Sequence, residues 1–315
     1  MMAAHSAPAD IPSAPDESWI AHLRLIPDDC REFSVDLKRA KLEFGIDDLW
    51  ARRLITLGIP YADTHGSPRF AAADLHYIGL RLGCATTYLE VMQRWAAALT
   101  ASAMCDWVEV EIRCVPYAAP GTRVQILGPR GTTTAVIGPD RTATSFEISI
   151  PGQWPTLDPA LGDLLSDIAS LDFCWIPEPV GADVDFARRT RLADCASASK
   201  LLVEECHARG IEARTAYGLL LALPYSTPHN WAEIRTSDDW LPADPLLLAL
   251  LVRYADLDAT AWPPSRCPGG VLLRLADRAT PIVLAGEQPL RATFLTTIHQ
   301  GPVANGCARR QGGAS

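Results

Sequence analysis

The sequence predicts an α+β fold in which helices come first and antiparallel strands follow. Apolar residues recur at helical spacing between residues 34 and 57, and again between residues 71 and 102. From residue 107 the spacing changes to a strict alternation, which is typical of strands with one buried face. Because the strands follow the helices instead of alternating with them, an α+β arrangement is favoured over a doubly wound parallel sheet.

Glycines mark where the predicted helices break. Residues 34–57 fit a helix that is interrupted at Gly45. Residues 71–102 form a longer apolar-periodic stretch, and Gly79 and Gly83 interrupt it. Since glycine weakens the interior of a helix, we expect two helices in this second stretch.

Four short alternating runs predict strands at residues 107–115, 122–128, 132–138 and 142–150. Proline, glycine and aspartate separate the runs, and each of these residues favours a turn for its own conformational reason. We therefore expect the four strands to pair in order as an antiparallel meander. Residues 158–170 predict one further helix before a proline-containing stretch.

The composition excludes several classes of protein. The chain has 315 residues, 48% hydrophobic and 21% charged, which excludes a wholly disordered chain and a coiled coil. At about 150 residues per domain, the length fits one large domain or two ordinary ones. A formal net charge of −9 repels phosphate backbones, so nucleic acid is not expected as a partner.

Membrane insertion and secretion are not expected either. The longest uninterrupted apolar run covers only residues 246–252, and a membrane-spanning helix needs about 20. The first residues combine neither a basic start nor an apolar segment, so no secretory signal is predicted. Nine cysteines without a C-x-x-C pair argue against a disulfide framework and against the usual zinc spacings. We expect a cytoplasmic protein with mostly buried, inert thiols and no metal.

Residues 194–211 predict a sharply delimited helix with a cysteine at its first position. Asp194 is a favourable N-cap, and Gly210 with Ile211 matches a Schellman end. One apolar face is formed by Ala198, Leu201, Leu202 and Cys206. At the helix start, Cys195 meets a partial positive charge that favours the thiolate, and free amides there could stabilise an oxyanion. The alternative is that Cys195 is one more buried, inert cysteine.

A histidine and an aspartate follow at intervals that a hairpin can bring together. Residues 214–223 are strand-like, and alternation from His229 indicates that this residue opens a second strand. Asp244 stands 15 residues further on, beyond a turn. A hairpin would put the carboxylate beside the imidazole, giving a nucleophile, a base and a residue that orients the base. A structural histidine and a turn aspartate before proline are the alternatives.

These residues resemble three motifs of the transglutaminase-like proteins, which belong to the papain-like cysteine enzymes. The motifs are DC at the helix start with LLVEECHARGIEAR after it, HNWAEI, and WLPADP, and they cover residues 193–248. The resemblance implies that Cys195 is the nucleophile, His229 the base and Asp244 the orienting residue. It also implies a core in which the helix carrying the cysteine packs on an antiparallel sheet. In animal transglutaminases an upstream tryptophan assists the oxyanion, and Trp154 and Trp175 are both candidates here.

The length of about 315 residues and the long region before Cys195 resemble the Dieckmann cyclases that release tetramic acids or pyridones. This resemblance implies natural-product biosynthesis of the polyketide or nonribosomal peptide kind, such as antibiotic biosynthesis. Cys195 would take an acyl chain from a phosphopantetheine thioester on an acyl or peptidyl carrier protein, and the chain would leave by cyclisation. No cofactor is implied. A transglutaminase-like amide synthase, hydrolase or peptidase with the same triad remains an alternative, as does a non-catalytic scaffold.

Two further features allow a functional and a structural interpretation. Arg188, Arg189 and Arg191 precede Cys195 and could form a basic surface for an acidic carrier protein; ordinary solvated arginines are the favoured alternative. His76 and Tyr77 could line a pocket, although an apolar helix favours a core position for the histidine.

The chain is therefore divided as follows. Residues 1–17 are predicted to be a disordered arm, and residues 18–156 an N-terminal helical and β-meander region outside the catalytic core. Residues 157–300 are predicted to form the transglutaminase-like catalytic core, and residues 301–315 a flexible tail.

Overall fold

Helices lie between residues 37 and 57 and between residues 72 and 102, where the apolar spacing predicts them. The computed structural model describes residues 16–300, apart from residues 179 and 238. The arm predicted at residues 1–17 and the tail predicted at residues 301–315 lie outside this range, except for Asp16 and Glu17. Asp16 caps the first helix by accepting a hydrogen bond from the backbone N–H of Ser18, so the first helix begins within the predicted arm.

The N-terminal part contains five α-helices and three short strands within the described residues. They are α1 (Glu17–Leu23), β1 (Phe33–Val35), α2 (Leu37–Phe44), α3 (Asp48–Leu57), β2 (Ala62–Thr64), β3 (Ser67–Ala71), α4 (Ala72–Arg81) and α5 (Thr86–Ser102). The predicted break at Gly45 is confirmed, since this residue ends α2 with φ +70°. Gly83, with φ +65°, separates α4 from α5, whereas Gly79 lies inside α4.

The remaining strands and helices follow in chain order. They are β4 (Trp107–Pro116), β5 (Arg123–Gly128), β6 (Gly131–Val136), β7 (Thr144–Pro151), α6 (Gly162–Ala169), β8 (Asp172–Phe173), α7 (Val184–Thr190), β9 (Leu192–Ala193), α8 (Cys195–Ala208), β10 (Ala213–Leu220), β11 (Tyr225–Arg235), β12 (Trp240–Ala243), α9 (Pro245–Tyr254), β13 (Leu272–Ala276), β14 (Val283–Ala285), β15 (Gln288–Pro289) and β16 (Ala292–Gln300). The α+β class is thus confirmed.

The predicted meander is wrong, although its four strands are present. A central antiparallel sheet has the order β13-β10-β11-β16-β4-β7, with β12 paired to β11. A second sheet has the order β15-β14-β5-β6. The apolar face of β4, formed by Val108, Val110 and Ile112, lies in the main core, and β4 pairs with β16 and β7 in the central sheet. All six residues of β6 are at least partly exposed, and β6 stays in a peripheral hairpin with β5.

The described residues form two hydrophobic cores. One core joins α1 to α4 with α7 and β9, through buried residues such as Phe186 and Leu192. The main core includes α5, α6, α8 and α9 together with the central sheet. Helix α5 and strands β4 and β7 therefore pack with the part of the chain that carries Cys195. The boundary at residues 156 and 157 itself stays a prediction.

None of the helices in the described part of the chain combines the length and the hydropathy that a membrane span requires.

Candidate active site

Cys195 is the first residue of α8, and the capping of this helix fixes its position. Asp194 accepts a hydrogen bond from the backbone N–H of Ser197 at 2.8 Å, and the Ser197 hydroxyl accepts from the N–H of Asp194 at 2.9 Å. This reciprocal pair is a capping box, which satisfies two amides of the helix start and fixes where the helix begins. The sulfur of Cys195 therefore lies at the positive end of the helix dipole, where a thiolate is stabilised.

The far end of α8 also has the predicted geometry. The backbone N–H of Ile211 donates to Cys206 O, and that of Gly210, with φ +71°, donates to His207 O, both at 2.9 Å. This is a Schellman end. The predicted apolar face is buried in the main core, with Ala198, Leu201, Leu202 and Cys206 all at most 3% exposed. Both ends of the helix that carries Cys195 are thus fixed.

His229 lies within β11, which pairs with residues 213–220 of β10. On its other edge, β11 pairs with β16 at residues 225–226 and with β12 at residues 232–235. His229 lies in the interval between these two pairings. The strand begins at Tyr225, four residues before the predicted start, and Pro228 lies inside it. Proline is tolerated there because a strand position that faces an unpaired edge requires no N–H donor.

Asp244 connects His229 to the next helix. Its Oδ2 lies 2.5 Å from Nε2 of His229, and its Oδ1 accepts a hydrogen bond from the backbone N–H of Leu247 at 3.0 Å. Asp244 is thereby the N-cap of α9, and it is 6% exposed. Because Asp244 occupies Nε2, the Nδ1 atom of His229 is the ring nitrogen left for Cys195.

The buried pair makes His229 strongly basic. Burial alone lowers the pKa of His229, but the charges of Asp244 and Cys195, together with hydrogen bonds to both, outweigh it and raise the pKa to about 10. The imidazole is therefore protonated at neutral pH. A histidine beside a cysteine sulfur is the arrangement that activates a cysteine as a nucleophile. The three residues that the sequence selected lie together in the structure.

Asn230 is a site residue that the sequence analysis missed. Its Nδ2 lies 3.9 Å from the sulfur of Cys195 and donates to it. The signal was present, because Asn230 directly follows His229 in HNWAEI. Alternation along a strand puts neighbouring residues on opposite faces, so the pattern predicts that Asn230 points away from the face of His229. It supplies a third polar group beside the nucleophile.

A cavity of about 330 Å³ contains Cys195, His229 and Asp244. Its walls are mostly apolar and come largely from α5 and α9. The apolar lining residues are Tyr88, Val91, Trp95, Phe173, Trp175, Pro228, Leu246, Leu247 and Leu250. A second cavity of about 420 Å³, next to Arg94, contains none of the three polar residues. Helix α5, from the predicted N-terminal region, thus covers the candidate site with apolar side chains.

The structure separates the two tryptophan candidates. Trp175 lines the cavity with Cys195 and is 41% exposed. The indole N–H of Trp154 donates to Pro151 O at 2.7 Å, and its ring lies against Gly269, away from the residues that line the cavity. Of these two candidates, Trp175 is the one that lines the cavity with Cys195.

The three arginines before Cys195 do not form a free basic surface. Arg188 pairs with Asp185, Glu204 and Glu205. Arg189 lies 3.6 Å from Asp183, and Arg191 lies 2.9 Å from Asp167. Since every one of them has a carboxylate partner, ordinary solvated arginines are the better interpretation.

His76 is buried, as its apolar helix predicts, and it lies directly behind the cavity. Its ring stacks on Trp175 with the centroids 3.9 Å apart. Tyr77, its neighbour on α4, is fully buried in the N-terminal core. Of the eight cysteines in the described range, all are free, and five are buried; Cys195 is one of the three with partial exposure.

The comparison with known families agrees with this geometry. The family model described as the transglutaminase-like superfamily matches residues 176–245, which include Cys195, His229 and Asp244. No curated protein and no solved structure matches the chain. The matched segment runs from the residue after Trp175 to the first residue of α9. It contains the helix that carries Cys195, the sheet strands β10 to β12, and the cap of α9. Over residues 176–245 the chain is therefore similar to the transglutaminase-like superfamily.

Proposed function

We propose that this protein is a cysteine-dependent acyl-transfer enzyme in which Cys195 is the nucleophile, His229 the base and Asp244 the residue that orients the base. The observation that carries the proposal is the contact between Asp244 Oδ2 and His229 Nε2 at 2.5 Å, which turns Nδ1 of the imidazole toward Cys195. A nucleophile beside a base that a third group orients is the arrangement that activates a cysteine.

The acylation step follows from the charges of the resting site. The Cys195 thiolate attacks the carbonyl carbon of a thioester, so that a new C–S bond forms and the original C–S bond breaks. The leaving thiolate takes the proton from the His229 imidazolium and departs as a thiol. The first-turn amides of α8 are available to stabilise the oxyanion of the tetrahedral intermediate. The result is an acyl-Cys195 and a neutral His229.

The finer proposal is that the acyl chain leaves by Dieckmann cyclisation to a tetramic acid or pyridone. Neutral His229 removes a proton from a methylene between two carbonyls of the chain. The resulting carbanion attacks the acyl-Cys195 carbonyl, a C–C bond forms, and the C–S bond to Cys195 breaks. The cysteine thiolate and the His229 imidazolium are restored, so the cycle closes without a second substrate. The apolar walls from α5 and α9 support this reaction, because water would hydrolyse the acyl-enzyme.

The proposed acyl donor is a phosphopantetheine thioester on an acyl or peptidyl carrier protein. This partner is inferred from the chemistry of thioester transfer alone. The arginines before Cys195 do not add support, because they are paired with carboxylates and offer no free basic surface. Hydrolysis or amide synthesis by the same three residues is the second candidate. The partial exposure of Trp175 at the cavity favours this second candidate, because a cavity that is open to solvent admits water or an amine.

A single-turnover reaction in H₂¹⁸O separates these outcomes. The purified acyl-enzyme, formed from a 3-oxoacyl-aminoacyl pantetheine thioester, is left to react, and the released product is weighed by mass spectrometry. Cyclisation gives a ring product without ¹⁸O and without a second substrate. A carboxylic acid carrying ¹⁸O would assign the protein to the hydrolases, and product release that depends on an added amine would assign it to the amide synthases. A Cys195 that reacts with iodoacetamide no faster than the other cysteines would support a non-catalytic scaffold.

A further inference from the structure

His76 is a buried polar residue without a polar partner. It lies on α4, is 3% exposed, and neither of its ring nitrogens has a hydrogen-bond partner among the described residues. Leaving such atoms unpaired in a protein interior costs stability. A phenylalanine or leucine would fill the same space without this cost. A position in the core therefore does not by itself explain a histidine.

The aromatic residues around His76 all belong to the cavity that contains Cys195. Trp175 stacks flat on the imidazole, with centroids 3.9 Å apart and planes at 13°. Tyr88 meets the ring edge-on at 4.2 Å, and Phe173 is 6.0 Å away. These three residues line the cavity. His76 thus forms the layer directly behind one cavity wall.

Trp175 is the part of this wall with the least support. It lies between β8 and α7, outside the helices and strands, and 41% of it is exposed. Its indole nitrogen makes no hydrogen bond to any described residue, so its position depends on stacking with His76 and edge contact with Tyr88. Tyr88, by contrast, is held within α5.

We propose that His76 is the inner polar residue of the acyl subsite: Trp175 moves off the imidazole when an acyl chain enters, and a ring nitrogen of His76 then hydrogen-bonds to an oxygen on that chain. The inference rests on the proposed acyl transfer to Cys195. It adds a specificity-determining residue and a substrate class, an acyl chain that carries a carbonyl or hydroxyl group beyond the thioester.

The charge state of His76 agrees with this class of ligand. Burial lowers the pKa of His76 to about 4, so the ring is neutral at pH 7. A neutral imidazole offers one N–H donor and one acceptor. It suits an uncharged oxygen, such as the keto group of a 3-oxoacyl chain, because a carboxylate would bring a charge into an apolar pocket.

The test compares two thioesters on wild type and one variant. Acylation of Cys195 by butanoyl-pantetheine and by 3-oxobutanoyl-pantetheine is timed by intact mass spectrometry. The ratio of the 3-oxobutanoyl rate to the butanoyl rate is then compared between proteins. The comparison of ratios cancels the intrinsic reactivity of each thioester. His76→Phe keeps an aromatic ring under Trp175 and removes both nitrogens. We expect the ratio to fall by about tenfold in this variant, the factor that one lost hydrogen bond gives, because only the 3-oxobutanoyl chain carries an oxygen beyond the thioester.

A histidine outside the cavity is the matched control. His207 lies at the other end of α8, where its ring bonds to Ala213 O at 2.8 Å, and His207→Gln should leave the ratio as in wild type. An unchanged ratio in His76→Phe, or an equal fall in both rates, would overturn the inference while leaving acyl transfer intact. If neither thioester acylates wild-type Cys195, the proposed function fails and the inference fails with it.

A second measurement follows His76 in the wild-type protein and needs a variant only to assign its resonances. Nitrogen-15 NMR of histidine-labelled protein reports on the ring nitrogens of His76, assigned by their absence from His76→Phe or, if that variant does not fold, from His76→Gln. We expect these resonances to shift in the 3-oxobutanoyl-enzyme and not in the butanoyl-enzyme. Identical shifts in the two acyl-enzymes would contradict a hydrogen bond to the 3-oxo group.

Discussion

Asp244 holds His229 at 2.5 Å with one carboxylate oxygen and caps helix α9 with the other. The same side chain therefore orients the imidazole and fixes the start of the helix behind the cavity. The sequence analysis treated these roles as alternatives, a catalytic aspartate or a structural aspartate before Pro245. The structure shows the capping contact of the structural role, and the second oxygen makes the contact with His229 that the proposed catalytic role requires.

The two roles of Asp244 can be separated by two substitutions. Asparagine retains an oxygen that caps α9 but turns an amide toward His229, so the imidazole loses its acceptor. We expect Asp244→Asn to slow acylation of Cys195 by a factor of about 10³ to 10⁴, because the imidazole of other triads takes the wrong tautomer when their aspartate is replaced by asparagine. Asp244→Ala should be equally slow and, because it also loses the cap, less stable than Asp244→Asn by about 1 kcal/mol. Stopped-flow rates and melting curves measure both quantities. Near-normal acylation in Asp244→Asn would remove Asp244 from the proposed triad.

His229 should give the folded protein a pH-dependent stability. Its pKa rises from 6.5 to about 10 on folding, so the folded state binds this proton more tightly than the unfolded state. The stabilisation is complete below pH 6.5 and is lost as the pH rises through 10. With both proteins carrying Cys195→Ala, so that the proton of the thiol does not enter the balance, the free energy of unfolding should fall relative to His229→Gln by up to about 1.4 kcal/mol per pH unit above pH 6.5. Urea titrations between pH 6 and pH 10 test this, and a parallel pH dependence in both proteins would contradict the raised pKa.

Asn230 should affect the reactivity of the nucleophile without being essential. Its amide donates to the sulfur of Cys195 from 3.9 Å, which is long enough for a weak interaction. We expect Asn230→Ala to slow alkylation of Cys195 by iodoacetamide by about threefold to tenfold at pH 7. Asn230→Asp, which puts a negative charge beside the sulfur, should slow it further. The order of the three proteins is the result that matters, and an aspartate variant faster than wild type would show that this contact does not stabilise the thiolate.

His76 predicts an unusual stabilising substitution. Replacing it with phenylalanine removes two unpartnered nitrogens, so His76→Phe should raise the free energy of unfolding at pH 7 by about 1 kcal/mol. The difference in the free energy of unfolding between His76→Phe and wild type should increase at acidic pH. Because the pKa of His76 falls from 6.5 to about 4 on folding, wild type loses stability as the pH drops from 6.5 toward 4, and the variant lacks this loss. Denaturation curves at pH 7 and pH 4.5 measure both effects; a less stable variant at pH 7 would mean that the nitrogens have partners.

The sequence was sufficient to identify the local elements of the site. Asp194, Gly210 and Ile211 act within one or two turns of α8, so their patterns could be interpreted without knowing the fold. The pairing of His229 with Asp244 followed from a hairpin, which is also local. The strand around Pro228 was harder to predict, because proline is normally excluded from a central strand and is accepted here where one edge of β11 is unpaired.

Long-range pairing could not be predicted in the same way. Alternation in β4 indicates a buried face but does not identify the strand on either side, and β16 reaches it from about 180 residues further along the chain. The meander prediction failed for this reason. The cover of the cavity by Tyr88 and Trp95 and the stack of His76 on Trp175 also depend on tertiary packing. Both contacts join segments that are distant in the sequence, and neither sequence pattern predicts the contact.

The central claim is that Cys195 forms a covalent acyl-enzyme, and intact mass spectrometry after incubation with an acyl-pantetheine thioester tests it most directly. Cys206 is the matched control, since it is buried on the same helix about 16 Å away at 1.5 Å per residue. We expect wild type and Cys206→Ala to gain the mass of one acyl group and Cys195→Ala to gain none. An acyl adduct of the same yield on Cys195→Ala, or its absence from wild type under conditions where Cys195 reacts with iodoacetamide, would contradict the account.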